Sequence, residues 1–171
     1  MSRTTTYKTK PKRRREGRTD YYKRLNLLKS GKNRLVVRIS NNEVVAQIVK
    51  YSLKGDETLV NTTSLELKKL GYTGHRGNAC AAYLTGLLCG KKAMTKKAKE
   101  AVLDIGLHTP VRGSNIYAAL KGALDAGMDI PHDKEVLPKD ERVLGKLIND
   151  YKKTDLKADE VKKKILGEKH G

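Results

Sequence analysis

Two alternating apolar segments joined by a pair of asparagines constrain this chain more than any other feature. Leu35-Val36-Val37-Arg38-Ile39-Ser40 and Glu43-Val44-Val45-Ala46-Gln47-Ile48-Val49 flank Asn41-Asn42. Asparagine tolerates positive φ, which a two-residue hairpin turn asks for, so the spacing predicts an antiparallel hairpin with Ser40 opposite Glu43. Counting back from the turn pairs Ile39 with Val44, Val37 with Ala46 and Leu35 with Ile48. All three pairs are apolar and share one face, while Arg38, Val45, Val36 and Gln47 share the other. A slip of one residue would turn the apolar set to solvent, so the register is strongly specified.

The rest of the fold follows from punctuation and periodicity. Lys54-Gly55-Asp56-Glu57 reads as a turn, and Thr58 to Thr62 as a third antiparallel strand. Thr63-Ser64-Leu65-Glu66 has capping-box spacing, with Thr63 as cap and Glu66 reaching back, ahead of a short helix that Gly71 closes. Asn78 is placed to cap a long helix over 79–93, whose stripe is Cys80, Tyr83, Leu84, Leu87 and Leu88. Gly86 and Gly90 lower helix propensity there, which makes sense where another backbone approaches closely. Ala101 to Leu107 reads as a buried strand that joins the sheet parallel to a neighbour. Ser114 should cap a second helix over 115–127, with Ile116, Ala119, Leu120, Ala123 and Leu124 inward. After an irregular stretch over 129–138, residues 139–151 suggest a smaller helix with Val143, Leu144, Leu147, Ile148 and Tyr151 inward. The class is α/β: a mixed sheet beginning with a three-strand antiparallel meander, with helices packed on it. Three segments are expected: a basic N-terminal arm and short helix over 1–30, an α/β core over 31–151, and a loosely held Lys-rich tail over 152–171.

Charge narrows the function. The 171 residues hold 37 Lys/Arg against 19 acids, a net charge of +18. A small soluble domain needs a net charge of only about 2–8, and a larger excess repels itself unless a polyanion neutralises it. Residues 1–38 alone carry 14 Lys/Arg and 2 acids. Within them, residues 1–20 lack periodicity, and Pro11 and Gly17 flank Lys12-Arg13-Arg14-Arg15, the pattern of an extended arm ordered by its ligand. Asp20 can cap a short helix over 21–29 with Tyr21, Leu25 and Leu28 on one face. Lys12, Arg13, Arg14, Arg15, Arg18, Lys23 and Arg24 are suited to phosphates, each guanidinium pairing with two oxygens. One of Tyr21 and Tyr22 is expected to stack on an unpaired base and the other to join the core, Tyr21 fitting the stripe with Leu25. Arg38 points away from the hairpin's apolar face, which leaves it available for contact with RNA. Lys32, Lys50 and Lys54 lie near strand ends and would extend the phosphate footprint. Arg76 and Asn78 open the long helix, where they serve either as an anion site or as simple capping.

Other chemistries find little support. Cys80 and Cys89 match no zinc spacing and make no disulfide framework; they read as small buried hydrophobes in a reducing compartment. Met1 to Lys12 has charges but no apolar stretch, and the uncharged run from Gly77 to Gly90 is too short for a bilayer, so a cytoplasmic chain with no membrane partner is expected. His75, His108, His132 and His170 show no metal spacing. Asp104 is the one acid in an apolar strand, but a two-metal nuclease needs several converging acids, and Glu100 and Asp125 have no clear route to it. No P-loop, nucleophile elbow or dinucleotide fingerprint is present. No catalytic residue, metal or cofactor is expected.

Several stretches carry a resemblance. They are Arg13-Arg14-Arg15-Glu16-Gly17-Arg18-Thr19-Asp20-Tyr21-Tyr22-Lys23-Arg24-Leu25, Leu28-Lys29-Ser30-Gly31-Lys32, Ala81-Ala82-Tyr83-Leu84-Thr85-Gly86-Leu87-Leu88 and Glu100-Ala101-Val102-Leu103-Asp104-Ile105-Gly106-Leu107. Ala118-Ala119-Leu120-Lys121-Gly122-Ala123-Leu124-Asp125-Ala126-Gly127 and Ile130-Pro131-His132 complete the set. Their order and spacing over roughly residues 7–151 resemble the universal large-subunit ribosomal protein eighteen family in its archaeal form, the counterpart of eukaryotic ribosomal protein five. The loop around His75 and the two cysteines depart from that pattern, and residues 152–171 match none of it. The resemblance implies a ribonuclease-H-like core and a non-enzymatic role. It further implies binding of 5S rRNA and its attachment to the large subunit in the central protuberance, beside 23S rRNA and neighbouring large-subunit ribosomal proteins. The competing readings are an RNA-binding module outside the ribosome and a metal-dependent nuclease on the same core.

Overall fold

The computed structural model describes residues 8–152 and 156–167. In chain order the elements are α1 (Lys12–Arg15), α2 (Tyr21–Leu28), β1 (Asn33–Ile39), β2 (Val44–Lys50), β3 (Glu57–Thr63), α3 (Glu66–Lys69), α4 (Ala79–Thr95), β4 (Ala101–Asp104), α5 (Asn115–Asp125), α6 (Asp140–Val143), α7 (Lys146–Lys152) and α8 (Ala158–Leu166).

The hairpin forms in the expected register, with Leu35 opposite Ile48, Val37 opposite Ala46 and Ile39 opposite Val44. Leu35, Val37, Val44, Ala46 and Ile48 are fully buried. The turn is built differently from expectation, because neither asparagine takes positive φ. The Ser40 N–H donates to the Glu43 carbonyl at 2.9 Å, and the Ser40 hydroxyl accepts from the Glu43 N–H at 3.1 Å. With a side-chain oxygen standing in for a backbone acceptor, the turn needs no left-handed residue.

β3 runs antiparallel to β2 and β4 runs parallel to β1, giving an open four-stranded mixed sheet of order β3-β2-β1-β4. β4 is shorter than the apolar run suggested. The chain turns at Gly106, whose φ is +63°, and its N–H donates to the Asp104 carboxylate at 2.9 Å. Only half of the capping box forms: Glu66 accepts the Thr63 N–H at 3.3 Å, but Thr63 stays in β3 and the helix begins after Leu65. Strand pairing to β2 outcompetes the cap at Thr63.

The long helices cover one face of the sheet. α4 packs on β2 and β3, α5 lies beside it over β1, and α6 and α8 close over α4 from outside. α4 is therefore enclosed, and every residue from Ala79 to Leu87 is buried rather than a single stripe. Asn78 caps it by accepting the Ala81 N–H at 2.7 Å. Ser114 flanks α5 without a side-chain cap bond. Instead Asn115 Nδ2 donates to the Gly77 carbonyl at 3.0 Å, tying the starts of α4 and α5 together. The expected helix over 139–151 is two pieces, broken where Gly145 takes φ +75°. Val143 is buried and Leu144 and Ile148 pack against the core as expected, but Tyr151 is 88% exposed. The side chains of Leu147 and Lys152 lie outside the described residues. Residues 156–167 are not a loose tail: Leu156, Ala158 and Val161 are buried, and Lys162 sits 5.4 Å over the Tyr83 ring. Burial pushes the free thiols of Cys80 and Cys89 up to about 11, so both are unreactive core groups.

Candidate nucleic-acid interface

Strand alternation places Arg34, Val36 and Arg38 of β1 on the sheet face turned away from α4 and α5, in register with Val102 and Asp104 of β4. Arg34 is only 3% exposed. Its guanidinium donates to Asp104 Oδ2 at 2.9 Å and to Asp56 Oδ2 at 2.6 Å. Arg38 donates to Asp104 Oδ1 at 3.1 Å and to the Asp104 carbonyl at 2.8 Å. From the other side, Arg24 of α2 forks onto Asp56 at 2.8 and 3.0 Å. Burial alone would raise the Asp104 carboxyl. The Arg38 guanidinium, the Gly106 N–H and Arg34 outweigh it and hold the group below the usual carboxylate value. Three guanidiniums on two carboxylates thus join α2, β1, β4 and the turn before β3, and leave one positive charge in excess.

Through Arg24 and Asp56 this network ties α2 to the turn before β3. α1 is a helical turn rather than an extended run, held to the next segment by a bond from Arg13 Nε to Thr19 Oγ1 at 2.9 Å. It buries nothing, so Lys12, Arg13, Arg14, Arg15 and Arg18 all face solvent, as does Lys23 on α2. Asp20 caps α2 by accepting the N–H groups of Tyr22 and Lys23 at 3.0 and 3.1 Å. Neither tyrosine joins the core: Tyr21 is 37% and Tyr22 76% exposed. Tyr21 and Leu25 of the expected stripe face outward, while Arg24, Leu27 and Leu28 are the half-buried residues of α2. Between arm, α2 and β4 opens a cleft of about 650 Å³. Arg13, Arg18, Lys23, Arg24, Arg34 and Arg38 line it together with aliphatic residues.

The remaining candidates divide between the two ends of the sheet. Lys32, Lys50 and Lys54 lie where β1 begins and β2 ends. Lys50 and Lys54 are exposed, while Lys32 pairs with Glu100 at 2.9 Å. That hydrogen bond raises the Lys32 ammonium and lowers the Glu100 carboxyl from their ordinary values. Arg76 and Asn78 sit at the opposite end, beside the hairpin turn, where Gly77 lies against the Asn41 carbonyl. The Asn78 carboxamide is committed to its cap and to the Tyr72 hydroxyl at 3.0 Å. Arg34, Asp56 and the cleft's aliphatic wall were not singled out from sequence, although Arg34-Val36-Arg38 alternation was the available signal.

Asp104, Glu100 and Asp125 do not converge. The first two are paired as described, and Asp125 accepts the Tyr83 hydroxyl at 2.7 Å. Among the described residues, no group of three or more His, Cys, Asp or Glu is placed to hold a metal ion, and no helix is long and apolar enough to cross a membrane. His170 lies outside the described residues.

Comparison with known proteins gives a concordant result. A family model described as ribosomal large subunit proteins 60S L5 and 50S L18 matches residues 5–100 and 94–133. Large ribosomal subunit protein uL18 of Methanothermobacter thermautotrophicus is 49% identical over 159 residues, which span 93% of this chain and 82% of that protein.

Proposed function

This chain belongs to the family of ribosomal large-subunit proteins 60S L5 and 50S L18, and on that premise we propose that it binds 5S rRNA and attaches it to the large subunit. Membership makes it a structural ribosomal protein and not an enzyme. The proposed setting is the central protuberance of the cytoplasmic ribosome, against 23S rRNA and neighbouring proteins, with the helix-covered sheet acting as a ribonuclease-H-like core.

The observation that carries this reading is the union of the exposed basic arm with the ion network behind it. Lys12, Arg13, Arg14, Arg15, Arg18 and Lys23, all exposed, supply phosphate contacts. Arg24 and Arg38 spend their charge on Asp56 and Asp104: the first ties α2 to the turn before β3, and the second ties β1 to β4. Tyr22 presents an open ring next to that basic surface, suited to an unpaired base. Lys50 and Lys54 would extend the footprint from the end of the sheet where β1 begins and β2 ends, and Arg76 lies at the opposite end.

The test is recovery from cells. Tagged protein should sediment with the large subunit, and sequencing of RNA recovered under gentle nuclease treatment should show 5S rRNA enriched above all other small RNAs. Recovery of unrelated RNAs from ribosome-free fractions would favour a module acting outside the ribosome.

A further inference from the structure

The segment 156–167 lies over α4 on the helix-covered side of the sheet, away from the arm and the Asp56–Asp104 ion network. It holds on through a short apolar edge: Leu156, Ala158 and Val161 are buried, and Ile165 is partly so. A Cβ built at Gly145 would meet Leu156 Cδ1 at 2.7 Å and the Cys80 side chain at 3.6 Å, and one built at Gly74 would meet Leu156 Cδ2 at 2.6 Å. Leu156 therefore fills the space between those two backbones, next to Cys80. Further along, Lys162 stands 5.4 Å over the Tyr83 ring, one turn of α4 beyond Cys80. The segment is also tied back by the Leu156 N–H on Asn149 Oδ1 and by Lys164 Nζ on the Leu70 carbonyl, each at 3.2 Å. Two features weaken this hold. α8 has nine residues, too few for a helix to persist in water without its docking face. Lys157 enters it at φ +53°, a left-handed conformation disfavoured for any residue with a Cβ. A segment that buries so little apolar surface opens at a free energy well below that of the whole domain.

We infer that residues 156–167 form a strap that opens as a unit while the sheet and the long helices stay folded, uncovering Cys80 and Tyr83 on the outer face of α4. The inference does not depend on the RNA reading, because the strap and the basic arm lie on opposite sides of the sheet. The chain carries its own pair of reporters. Cys80 and Cys89 are the two cysteines, and both are fully buried. They stand nine residues apart on α4, about two and a half turns, and so face opposite ways. Cys80 lies beneath the strap, with Asp159 of α8 close enough to act on its thiol. Cys89 faces the sheet, where Thr62 of β3 is its hydrogen-bond partner. Opening the strap exposes the first thiol and leaves the second covered.

The test treats the full chain with N-ethylmaleimide in low urea, well short of unfolding, and assigns each modified thiol by peptide mapping. Cys80 should react at least tenfold faster than Cys89. Its rate should rise only shallowly with urea, because little surface is uncovered, whereas the Cys89 rate should follow the steep slope of global unfolding. Two variants separate the openings. Leu156→Ala weakens the strap and should speed Cys80 at least tenfold. Val60→Ala, buried in β3, destabilises the closed and the strap-open states alike, so it should speed Cys89 and leave Cys80 unchanged. Hydrogen exchange provides a second measurement: the α8 amides should lose protection with the same shallow urea dependence as Cys80 modification. Equal rates and slopes for the two thiols, or acceleration of both by Val60→Ala, would show that the strap opens only when the whole domain unfolds. A fast Cys80 beneath α8 amides protected to the global limit would show that the thiol is reached by another route. Either result overturns the inference.

Discussion

Replacing Gly86 by alanine tests how the two long helices meet. A Cβ built at position 86 would stand 2.7 Å from the Ala119 carbonyl carbon and 2.9 Å from its Cα, and nearer still to the carbonyl oxygen. Carbon atoms in favourable contact lie about 3.5–4.0 Å apart, so α4 and α5 would have to separate by on the order of 1 Å. The obstacle is backbone, not the movable end of a side chain. Gly122 is the reciprocal case, its Cβ falling 2.7 Å from the Leu87 backbone nitrogen. Neither helix can retreat freely, because α5 rests on β1 while α4 is held between the sheet and α8. Overpacking costs about 1–3 kcal/mol in ordinary cores, and a backbone collision belongs at the top of that range. Alanine regains about 1 kcal/mol of helix propensity over glycine. The expected net loss for Gly86→Ala is therefore about 2 kcal/mol, or a melting temperature lower by roughly 4–8 °C for a chain of this size. Urea denaturation should show the midpoint falling at unchanged slope. Combining Gly86→Ala with Gly122→Ala should cost less than the sum, because one separation relieves both collisions. A neutral or stabilised Gly86→Ala would show that the helices do not touch there, and would refute the reasoning.

The ion network and the arm give two further expectations. Asp104→Asn removes one of the two carboxylates that pair buried Arg34, with Asp56 remaining at 2.6 Å, and should cost about 1.5–3 kcal/mol in chemical denaturation. A depressed folded pKa means that Asp104's contribution is fully present above its ordinary value of 3.8 and fades as pH falls through the lower folded value. Stability followed across that acid window should therefore decline in the natural protein and change less in the Asn variant; identical profiles would remove Asp104 from the account. Deleting residues 1–19 removes eight Lys/Arg but spares the Asp20 cap, so the circular dichroism melt should survive. RNA affinity should then fall at least tenfold, about 1.4 kcal/mol, and the salt slope should flatten by roughly 0.7–0.9 for each phosphate no longer neutralised. An unfolded truncation would make the arm structural instead.

What could be read in the sequence was local. The hairpin register followed from a two-residue period held between defined ends, and the Asn78 cap from a polar residue just ahead of a helical pattern. Gly86 was legible as a close approach because nothing else explains glycine there. What escaped was the identity of partners far along the chain. Arg34 meets Asp56 across 22 positions and Asp104 across 70, and neither separation leaves a periodic trace. Tyr21 and Leu25 share a helix face as expected, but amphipathicity does not say whether the core or solvent lies opposite, and here it is solvent. α4 looked like a single stripe because the alanines, glycine and threonine on its other sides carry little hydrophobic signal while still being buried. α8 was missed for the same reason, its inward face relying on Ala158 beside Val161. The basic arm was legible as charge, but the cleft behind it needed β4, α2 and the arm brought together in space.

Binding specificity is the most direct test of the central claim. Phosphate contacts carry no sequence information, so a protein that held RNA through its basic arm alone would scarcely distinguish one RNA from another. A protein that anchors 5S rRNA must also read shape and unpaired bases. Competition among 5S rRNA, an unrelated transfer RNA and a duplex of equal length, at near-physiological salt, separates the two. The expected outcome is a preference for 5S rRNA of at least about 4 kcal/mol, near the lower end of specific nucleic-acid recognition. Equal binding to all three would contradict the claim and leave a general polyanion binder.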